Sequence, residues 1–549
     1  MIREKKFILW FKEIGIEDVP FVGGKNAALG EMYQNLVPLG INVPDGFALT
    51  SAAYAFFIKG AGLDKRIKEI LTGLDTHNIR DLQTRGKKVR QVILDAELPT
   101  ELKQEVAQAY AELGKKYGKN LDVAVRSSAT AEDLPGSSFA GQQETYLNIV
   151  GEEALLQAVK KCIASLFTNR AISYRVDKGF SHFEVALSVG VQKMARSDLA
   201  SSGVAFTIDT ETGFKDVVII NGSYGLGEMI VQGKVTPDEF IIWKPGLKQG
   251  HRAIIGKTLG DKKIKLVYGS EGTVEAKVSE EEKSRMCLTD AEAEKLAEWC
   301  VKIEEHFSVA RNRTRPMDPV RDREGSQRPS VSNGMDIEWA KDGKSGKLFI
   351  VQARPETVHA SADKNVYKEY RLRGKGKVLV SGTAVGTKIA VGKVKVIKNA
   401  KNIESFGRGE VLVTEITDPD WEPIMKIASA IVTDKGGRTS HAAIVSRELG
   451  IPCIVGTANA TRVLRSGRMV TVDCSSGEVG KVYDGAIHFE EIVHRLDKIP
   501  ETKTKVMVNI GSPDEAFARH YLPAKGVGLG RLEFIIASHI RIHPNALLN

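Results

Sequence analysis

The sequence has 549 residues, 42% of them hydrophobic and 27% charged, which is typical of a globular protein with roughly three or four domains. Its net charge of +9 comes from scattered lysines and arginines without interleaved aromatic residues, so we expect no nucleic-acid partner. No segment has the ~20 apolar residues of a membrane span, and the five cysteines include no CxxC pair, so we expect a cytoplasmic protein without a membrane partner.

The first motif, VGGKNAALGEM (Val22–Met32), predicts a Gly-Gly turn that leads into a helix, with Lys25 just after the turn. A glycine-rich turn before a helix can bind nucleotide phosphates through its N–H groups, and Lys25 would add a positive charge there. A solvated lysine at the start of a helix is an equally simple interpretation. The motif is not a Walker A loop, because the G-K-[ST] triplet is absent.

The next motif combines a short strand with a long run of small residues. VAVR predicts a strand that ends at Arg126, and Ser, Gly and Ala residues continue through Gly141. Small residues let a ligand approach the backbone, and an arginine there offers a planar fork to phosphate oxygens. We favour that interpretation over a flexible loop with a surface arginine. A second glycine-rich segment, Asn221–Phe240, is weaker evidence and could mark only tight turns.

Further along, MDIEWA and KLFIVQARP flank the turn sequence KDGKSG and predict a β-hairpin. Alternating side chains put Asp336 and Glu338 on one face of the first strand, and Gln352 and Arg354 on one face of the second. Two carboxylates on one face can hold Mg²⁺ that is bound to nucleotide phosphates. A solvated polar face on an edge hairpin is the alternative, but the earlier phosphate-binding motifs favour a nucleotide site.

An amphipathic helix that ends at Phe307 is separated from this hairpin by an unusual segment, Ser308–Gly334. The segment contains six arginines, three prolines and no Leu, Ile or aromatic residue. Such a composition cannot bury a core, so we expect the segment to be disordered. It would join the hairpin directly beside Asp336.

The most informative stretch is TDKGGRTSHAAIVSRELGIPCIVG (Thr433–Gly456). It predicts a strand, a glycine turn, a helix capped by Thr439 or Ser440, and a stop at Gly450 before a second strand. His441 would then lie in the first helical turn, where free N–H groups and the helix dipole disfavour a protonated imidazole and stabilise a phosphoryl group on it. A lone histidine at a helix start is also a common capping or surface residue. A metal ligand is disfavoured, because no second ligand follows at i+3 or i+4.

Beyond these local patterns, GGRTSHAAIVSRELGIP closely resembles the phosphohistidine signature of the phosphoenolpyruvate-utilising enzymes. VGGKNAALGEM, VRSSATAEDLPGSSFAGQQETYLN and VQARPETV resemble the ATP-binding domain of that family, and the first string is closer to its synthases than to its phosphate-using dikinases. The resemblance implies an α/β and α+β multidomain protein, with an ATP-grasp-like domain and a swivelling β/α phosphohistidine domain. It also implies a phosphorylated His441, a regulatory Thr439, Mg²⁺ at Asp336 and Glu338, and ATP at Lys25, Arg126, Asp336, Glu338, Gln352 and Arg354.

The last part of the sequence, KVMVNIGSPDEAFARHYLPAKGVGLGRLEF, resembles the opening βαβ unit of the family's pyruvate-binding TIM barrel, in which Arg531 matches a substrate-binding arginine. A whole barrel takes roughly 250 residues, so we expect only the start of an incomplete barrel here. The predicted organisation is an ATP-binding domain over 1–358, a linker over 359–377, the phosphohistidine domain over 378–484, a second linker over 485–504 and the barrel segment over 505–549.

The resemblance implies a reaction in which ATP, pyruvate and water give phosphoenolpyruvate, AMP and phosphate through a phosphohistidine, with Mg²⁺ as the cofactor of ATP. Because so little of the barrel is expected, we predict the ATP half-reaction alone from this sequence. Two alternatives stay open: a phosphocarrier or inactive remnant, and a related dikinase such as pyruvate, phosphate dikinase. The resemblance further implies a homodimer and a regulatory kinase or phosphorylase as partners.

Overall fold

The structure, a computed structural model, describes residues 6–549 apart from several gaps. The gaps are 77, 131–143, 178, 180, 184, 211, 270–271, 315–333, 357–365, 419–420, 439, 497–498, 501, 512–515, 517–519, 521, 541 and 548–549. The described part contains two larger sheets, a closed barrel and three two-stranded sheets, so the chain is a mixed α/β multidomain protein. Of the helices described, none has the length and apolarity that a membrane span requires.

The first sheet is antiparallel and contains β1 (Ile8–Trp10), β2 (Gly46–Leu49), β3 (Val123–Ala129), β4 (Thr145–Ile149) and β5 (Leu187–Lys193). Its strand order is β1-β2-β5-β3-β4. The accompanying helices are α1 (Val19–Asn35), α2 (Ser51–Gly60), α3 (Leu63–Leu71), α4 (Ile79–Asp95), α5 (Thr100–Tyr117), α6 (Glu152–Ser165) and α7 (Asn169–Asp177). Apolar faces of α2 to α6 pack on this sheet in one buried core.

The second sheet is also antiparallel, with the order β13-β12-β6-β7-β8-β9. Its strands are β6 (Ser201–Phe206), β7 (Val217–Tyr224), β8 (Asp238–Trp243), β9 (Ile254–Thr258), β12 (Met335–Lys341) and β13 (Leu348–Pro355), while β10 (Ile264–Tyr268) and β11 (Thr273–Lys277) form a separate hairpin. The helices are α8 (Glu228–Val231), α9 (Lys244–Lys248), α10 (Glu280–Lys283) and α11 (Asp290–Thr314). Residues of α1 and α11 share a core with this sheet.

Helix α11 corrects the prediction that disorder begins at Ser308. The helix continues to Thr314, because Ala310 is buried against the core and the Ser308 hydroxyl donates to the Glu304 carbonyl oxygen at 2.7 Å. The prediction of disorder is therefore wrong for residues 308–314. The rest of the predicted segment, 315–333, lies outside the described residues.

The histidine-bearing part of the chain is a closed barrel with the order β15-β19-β18-β17-β16-β20-β21. Before it stands β14 (Val366–Leu372); the barrel strands are β15 (Val378–Val385), β16 (Ile389–Val396), β17 (Val411–Thr414), β18 (Ala430–Thr433), β19 (Cys453–Val455), β20 (Met469–Asp473) and β21 (Val479–Asp484). Its helices are α12 (Glu422–Met425), α13 (His441–Leu449) and α14 (Ala460–Val463). Strands β16 to β19 are parallel, and their apolar side chains form one core with other strands and a second core with the helices.

The two predicted linkers are not structureless in their described parts. Strand β14 lies in the first and pairs antiparallel with β22 (Phe489–Arg495) in the second. After this ribbon, β23 (Val508–Ile510) and β24 (Val527–Gly530) form a parallel pair, followed by the short helix α15 (Leu532–Ile535). The parallel pair agrees with the two predicted strands, and half of the segment that connects them lies outside the described residues.

Candidate functional sites

The first candidate site lies where β3 of the first sheet meets the β12–β13 hairpin of the second. Nη2 of Arg126 lies 2.9 Å from Oε2 of Glu338, and Nη1 donates to the Val351 carbonyl oxygen at 3.1 Å and to Oε1 of Gln352 at 3.4 Å. Strand β3 runs on to Ala129, so Arg126 lies in mid-strand and the prediction that the strand ends there is wrong. Ser127 to Ala129 stay in the sheet because they are buried and pair with β5.

The hairpin itself forms as predicted. Asp336 stands opposite Arg354, and Glu338 stands opposite Gln352 in the antiparallel register. Arg354 forms an ion pair with Asp336 through two nitrogens: Nε lies 2.8 Å and Nη2 lies 2.7 Å from Oδ2. These four residues and Arg126 form the arginine–carboxylate cluster.

The electrostatics of the cluster favour negative charge. Desolvation raises the pKa of Glu338, but the positive charges of Arg126, Lys25 and Arg354 together outweigh it and leave that pKa below its usual value. Glu338 is therefore ionised near neutral pH. The cluster and Lys25 together hold three cations and two carboxylates, so an anionic ligand entering here would meet a net positive charge.

Lys25 reaches this site through the Gly-Gly turn that the sequence predicted. The turn interrupts α1 at Gly23, whose φ of +71° is in the left-handed region. A Cβ at Gly23 would lie 2.3 Å from the Ser128 hydroxyl oxygen and 2.6 Å from the Ser128 carbonyl oxygen, so only glycine lets α1 approach β3 this closely. The contact brings the start of the helix, with Lys25, beside the strand that carries Arg126.

The second candidate site is His441, the first residue of α13. Its side chain is buried, Nδ1 lies 3.1 Å from Oγ1 of Thr417, and Nε2 is buried without a hydrogen-bond partner among the described residues. Burial, and then the nearby positive charge of Arg170, lower the pKa of His441 to about 3. The imidazole is therefore neutral at physiological pH. If Nδ1 carries the proton and donates to Thr417, Nε2 holds the free lone pair.

The local structure around His441 agrees with the prediction except at the cap. Strands β18 and β19 flank a turn in which Gly436 has a positive φ, and Gly450 ends the helix in the left-handed conformation. Ser440 occupies the N-cap position but its hydroxyl makes no capping bond. That hydroxyl oxygen lies toward Gly436, 2.9 Å from where a Cβ of that glycine would stand, and it is buried without a hydrogen-bond partner among the described residues. Thr439 lies outside the described residues.

The barrel and its helices, which we call the histidine domain, are docked in this structure against the preceding two-sheet part of the chain, β1 to β13 with α1 to α11, which we call the first domain. A Cβ at Gly233, in the loop after α8, would lie 2.3 Å from Cβ of Ser440. On α7, the Tyr174 ring has Nζ of Lys426 at 5.7 Å from its centroid. The turn before His441 therefore packs on the first domain.

Sequence analysis missed three residues around His441: Thr417, Arg170 and Gly233. Thr417 is an ordinary threonine in the sequence and Arg170 lies in an ordinary helix, so neither has a local signal. Gly233 belongs to the glycine-rich segment Asn221–Phe240, in which only turns were recognised. Its contact with the histidine turn depends on docking between domains and is invisible in local patterns.

Arg531 stands apart from both sites in its described contacts. Its backbone N–H donates to the Ile510 carbonyl oxygen at 2.9 Å, and its guanidinium lies 5.8 Å from the Phe534 ring centroid. The side chains around it are largely exposed, including Leu529 and Leu532. Among the described residues, no group of three or more His, Cys, Asp or Glu side chains could by itself hold a metal ion.

The fold and the two sites define a class of multidomain α/β proteins in which a histidine-bearing barrel docks on a two-sheet domain. Residues 19–374 match the family described as pyruvate phosphate dikinase, AMP/ATP-binding domain. Residues 406–477 match the family described as PEP-utilising enzyme, mobile domain. The chain belongs to this family of phosphoenolpyruvate-utilising enzymes, as its sequence motifs predicted.

Comparison with curated proteins gives the same family. The chain is 52% identical to phosphoenolpyruvate synthase of Aquifex aeolicus and 52% identical to that of Synechocystis, with 100% of this chain and 63% and 66% of the relatives covered. It is 48% identical to phosphoenolpyruvate synthase of Escherichia coli over 98% of this chain and 66% of the relative. The chain thus spans 63% to 66% of the length of these relatives.

Among solved structures, an NMR solution structure of Enzyme I (nEIt) is similar at 33% identity over 15% of this chain and 33% of that chain. The TM-score of 0.13 is too low for that likeness to bear on the fold.

Proposed function

We propose that this chain is a phosphoenolpyruvate synthase, in which ATP, pyruvate and water give phosphoenolpyruvate, AMP and phosphate, and that its two described sites carry out the ATP half of that reaction. The observation that carries the proposal is His441: a buried, neutral imidazole whose Nδ1 is anchored by Thr417 and whose Nε2 has no partner among the described residues. A neutral imidazole fixed at one nitrogen is a nucleophile at the other. The names of the relatives support the same reaction.

The proposed chemistry starts at Nε2 of His441. Its lone pair attacks the β-phosphorus of ATP, an N–P bond forms, and the bond from that phosphorus to the α–β bridging oxygen breaks, so AMP leaves with the electron pair. Water then cleaves the β–γ linkage and releases phosphate, which leaves one phosphoryl group on the imidazole. In the remaining step pyruvate loses a methyl proton, its enolate oxygen forms a bond to the phosphorus, and the N–P bond breaks to release phosphoenolpyruvate and the neutral imidazole.

The proposed nucleotide site is the arginine–carboxylate cluster together with Lys25. Guanidinium groups of Arg126 and Arg354 offer planar forks to phosphate oxygens, and Lys25 adds a point charge. Gln352 is buried beside Arg126 and would orient the nucleotide by hydrogen bonding. The ion pairs Arg126–Glu338 and Arg354–Asp336 keep the forks in position before ATP arrives.

Asp336 and Glu338 are the proposed residues for Mg²⁺. The two carboxylates share a face and are ionisable oxygen donors, which suits a cation that takes one or two protein carboxylates and completes its shell with phosphates and water. Mg²⁺ bound there with ATP would neutralise charge on the phosphate groups. The residues present therefore fit the ion.

The finer domain organisation is part of the proposal. We infer that residues 1–358 form an ATP-grasp-like domain and that residues 378–484 swivel as a unit between two sites. The β14–β22 ribbon, which joins the two segments that flank the swivelling unit, is suited to act as its pivot. Residues 505–549 would belong to a TIM barrel in which Arg531 binds pyruvate.

We also propose for this chain the regulation and the partners that the family resemblance implies. A phosphate on Thr439, two residues before His441, would add about −1.5 to −2 charges near the helix start and compete with the phosphoryl group for N–H donors. A regulatory kinase or phosphorylase would act at that position. A homodimer is the proposed assembly.

The test uses ATP labelled separately at the β- and γ-phosphates. We expect acid-labile β-label on the protein and γ-label released as phosphate. His441→Asn should abolish labelling, whereas His494→Asn, which alters an exposed histidine paired with Glu369, should not. Retention of γ-label alone, or full labelling of His441→Asn, would contradict the proposal.

A further inference from the structure

Arg170 is a buried cation that neither the sequence motifs nor the proposed nucleotide site includes. It lies in the first turn of α7, and its side chain is only 7% exposed. Its Nη2 lies 3.5 Å from Oε1 of Glu144, just before β4. Arginine is rarely buried to this extent unless its charge is paired, so the groups around it are informative.

Contacts through Glu144 connect Arg170 to the arginine–carboxylate cluster. The carbonyl oxygen of Glu144 accepts hydrogen bonds from the backbone N–H and the hydroxyl of Ser127, both at 3.2 Å. Ser127 directly follows Arg126 on β3. Glu144 therefore links Arg170 to the strand that carries the cluster.

Helix α7, which carries Arg170, also contacts the domain that carries His441. Tyr174 lies one helical turn after Arg170 on the same face of α7, and Lys426 of the histidine domain packs over its ring. The Gly233 loop of the first domain contacts Ser440, next to His441. In this docked arrangement, the charge of Arg170 is close enough to contribute to the lowered pKa of His441.

We propose that Arg170 is a further catalytic residue, whose guanidinium binds the phosphoryl group while that group passes between the nucleotide and Nε2 of His441. The inference rests on the proposed function and adds a residue to it. Arg170 belongs to the first domain, so it would meet the phosphoryl group only when the histidine domain is docked.

The physical reason is charge. In the transfer step the bond from Nε2 to the β-phosphorus forms as the bond from that phosphorus to the α–β bridging oxygen breaks, and negative charge on the phosphoryl oxygens persists throughout. A neutral imidazole supplies no compensating charge, whereas the Arg170 guanidinium would offer N–H donors to those oxygens in the docked arrangement. Glu144 would hold the fork in place before the group arrives.

The test compares Arg170→Gln and Arg170→Lys in single-turnover labelling with β-labelled ATP. We expect Arg170→Gln to slow labelling by roughly 100-fold or more, as for other lost donors to a reacting oxyanion, with the Kd for ATP nearly unchanged. Arg170→Lys should recover part of the rate because it keeps the charge. Arg175→Lys is the matched control: this arginine of the same helix stacks on Phe167, 5.2 Å from its ring centroid, so we expect a lower melting temperature but wild-type labelling per folded molecule.

A further readout separates a catalytic from a structural role. Guanidinium ion added to Arg170→Ala should restore part of the labelling rate, which a purely structural loss would not allow. Labelling of Arg170→Gln within about threefold of wild type, or the absence of any rescue of Arg170→Ala, would overturn the role of Arg170 and leave the proposed function intact. A wild-type chain that takes no label from ATP would overturn both.

Discussion

Replacing Gly233 with alanine should separate docking of the histidine domain from the stability of the first domain. Gly233 has a φ of +67°, and a Cβ built on it would stand 2.3 Å from Cβ of Ser440. Carbon atoms pack at about 3.5 Å or more, so the two groups would have to move apart by about 1.2 Å. Because the contact joins two domains, the simplest relief is for the histidine domain to undock.

The magnitude has two parts that a control can separate. A non-glycine residue in the left-handed region costs about 1–2 kcal/mol, and this strain is present whether or not the domains are docked. The clash acts only on the docked state; overpacking of this kind costs about 1–3 kcal/mol, equivalent to a roughly 5- to 150-fold fall in the docked-to-undocked ratio. Gly250 has a similar φ of +74° with nothing within 4 Å of its Cβ position, so Gly250→Ala carries the strain without the clash.

The assay measures, for both variants, the melting temperature of the first domain, the Kd for ATP and the rate of His441 labelling from β-labelled ATP. We expect similar losses of stability and similar Kd values, with slow labelling in Gly233→Ala alone. Equal labelling by the two alanine variants would refute the reasoning, because it would mean that the contact between Gly233 and Ser440 does not control access of His441 to the nucleotide.

Three other outcomes follow from the described contacts. Arg126→Lys should keep a cooperative melt but slow labelling roughly 100-fold, because an ammonium cannot reproduce the planar fork; a large fall in melting temperature would instead indicate a structural role. The pKa of His441 is about 3 in the folded protein and 6.5 in an ordinary histidine, so between these pH values the unfolded chain binds a proton that the folded chain does not. The stability of the folded protein should therefore fall as the pH drops from 6.5 towards 3. Thermal melts of His441→Asn over the same pH range should show a smaller fall. Lys262→Met should lower the free energy of unfolding, measured with denaturant, by about 3–5 kcal/mol, because it leaves the fully buried Asp238 carboxylate without its cation. Lys248→Met breaks an exposed pair with Glu305 and should change that free energy by no more than about 1 kcal/mol.

Local sequence patterns were sufficient for the elements that carry the two sites. The alternation in MDIEWA and VQARP predicted which side chains share a face, and the structure pairs Asp336 with Arg354 and Glu338 with Gln352. The hydroxyl residues before His441 predicted where α13 begins, and Gly450 with the following proline predicted where it ends. These predictions succeed because periodicity and turn chemistry act over a few residues.

The incorrect predictions share a different cause. Strand β3 extends past Arg126 because Ser127 to Ala129 pair with β5, far away in the sequence. Helix α11 extends past Ser308, and Ala310 in this extension is buried. In both cases tertiary burial overrides composition, which for these segments pointed to a loop.

The pKa of His441 shows most clearly which property of the site its sequence motif does not predict. Sequence reasoning attributed a neutral imidazole to the helix N-terminus, whereas in the structure burial and Arg170 lower its pKa. Arg170 belongs to the other domain, and the loop at Gly233 covers Ser440 beside the imidazole. Undocking would remove that charge and uncover the ring, so its basicity would return towards that of an ordinary histidine. The protonation of His441 is therefore coupled to the position of its domain, and no motif of one domain can encode that coupling alone.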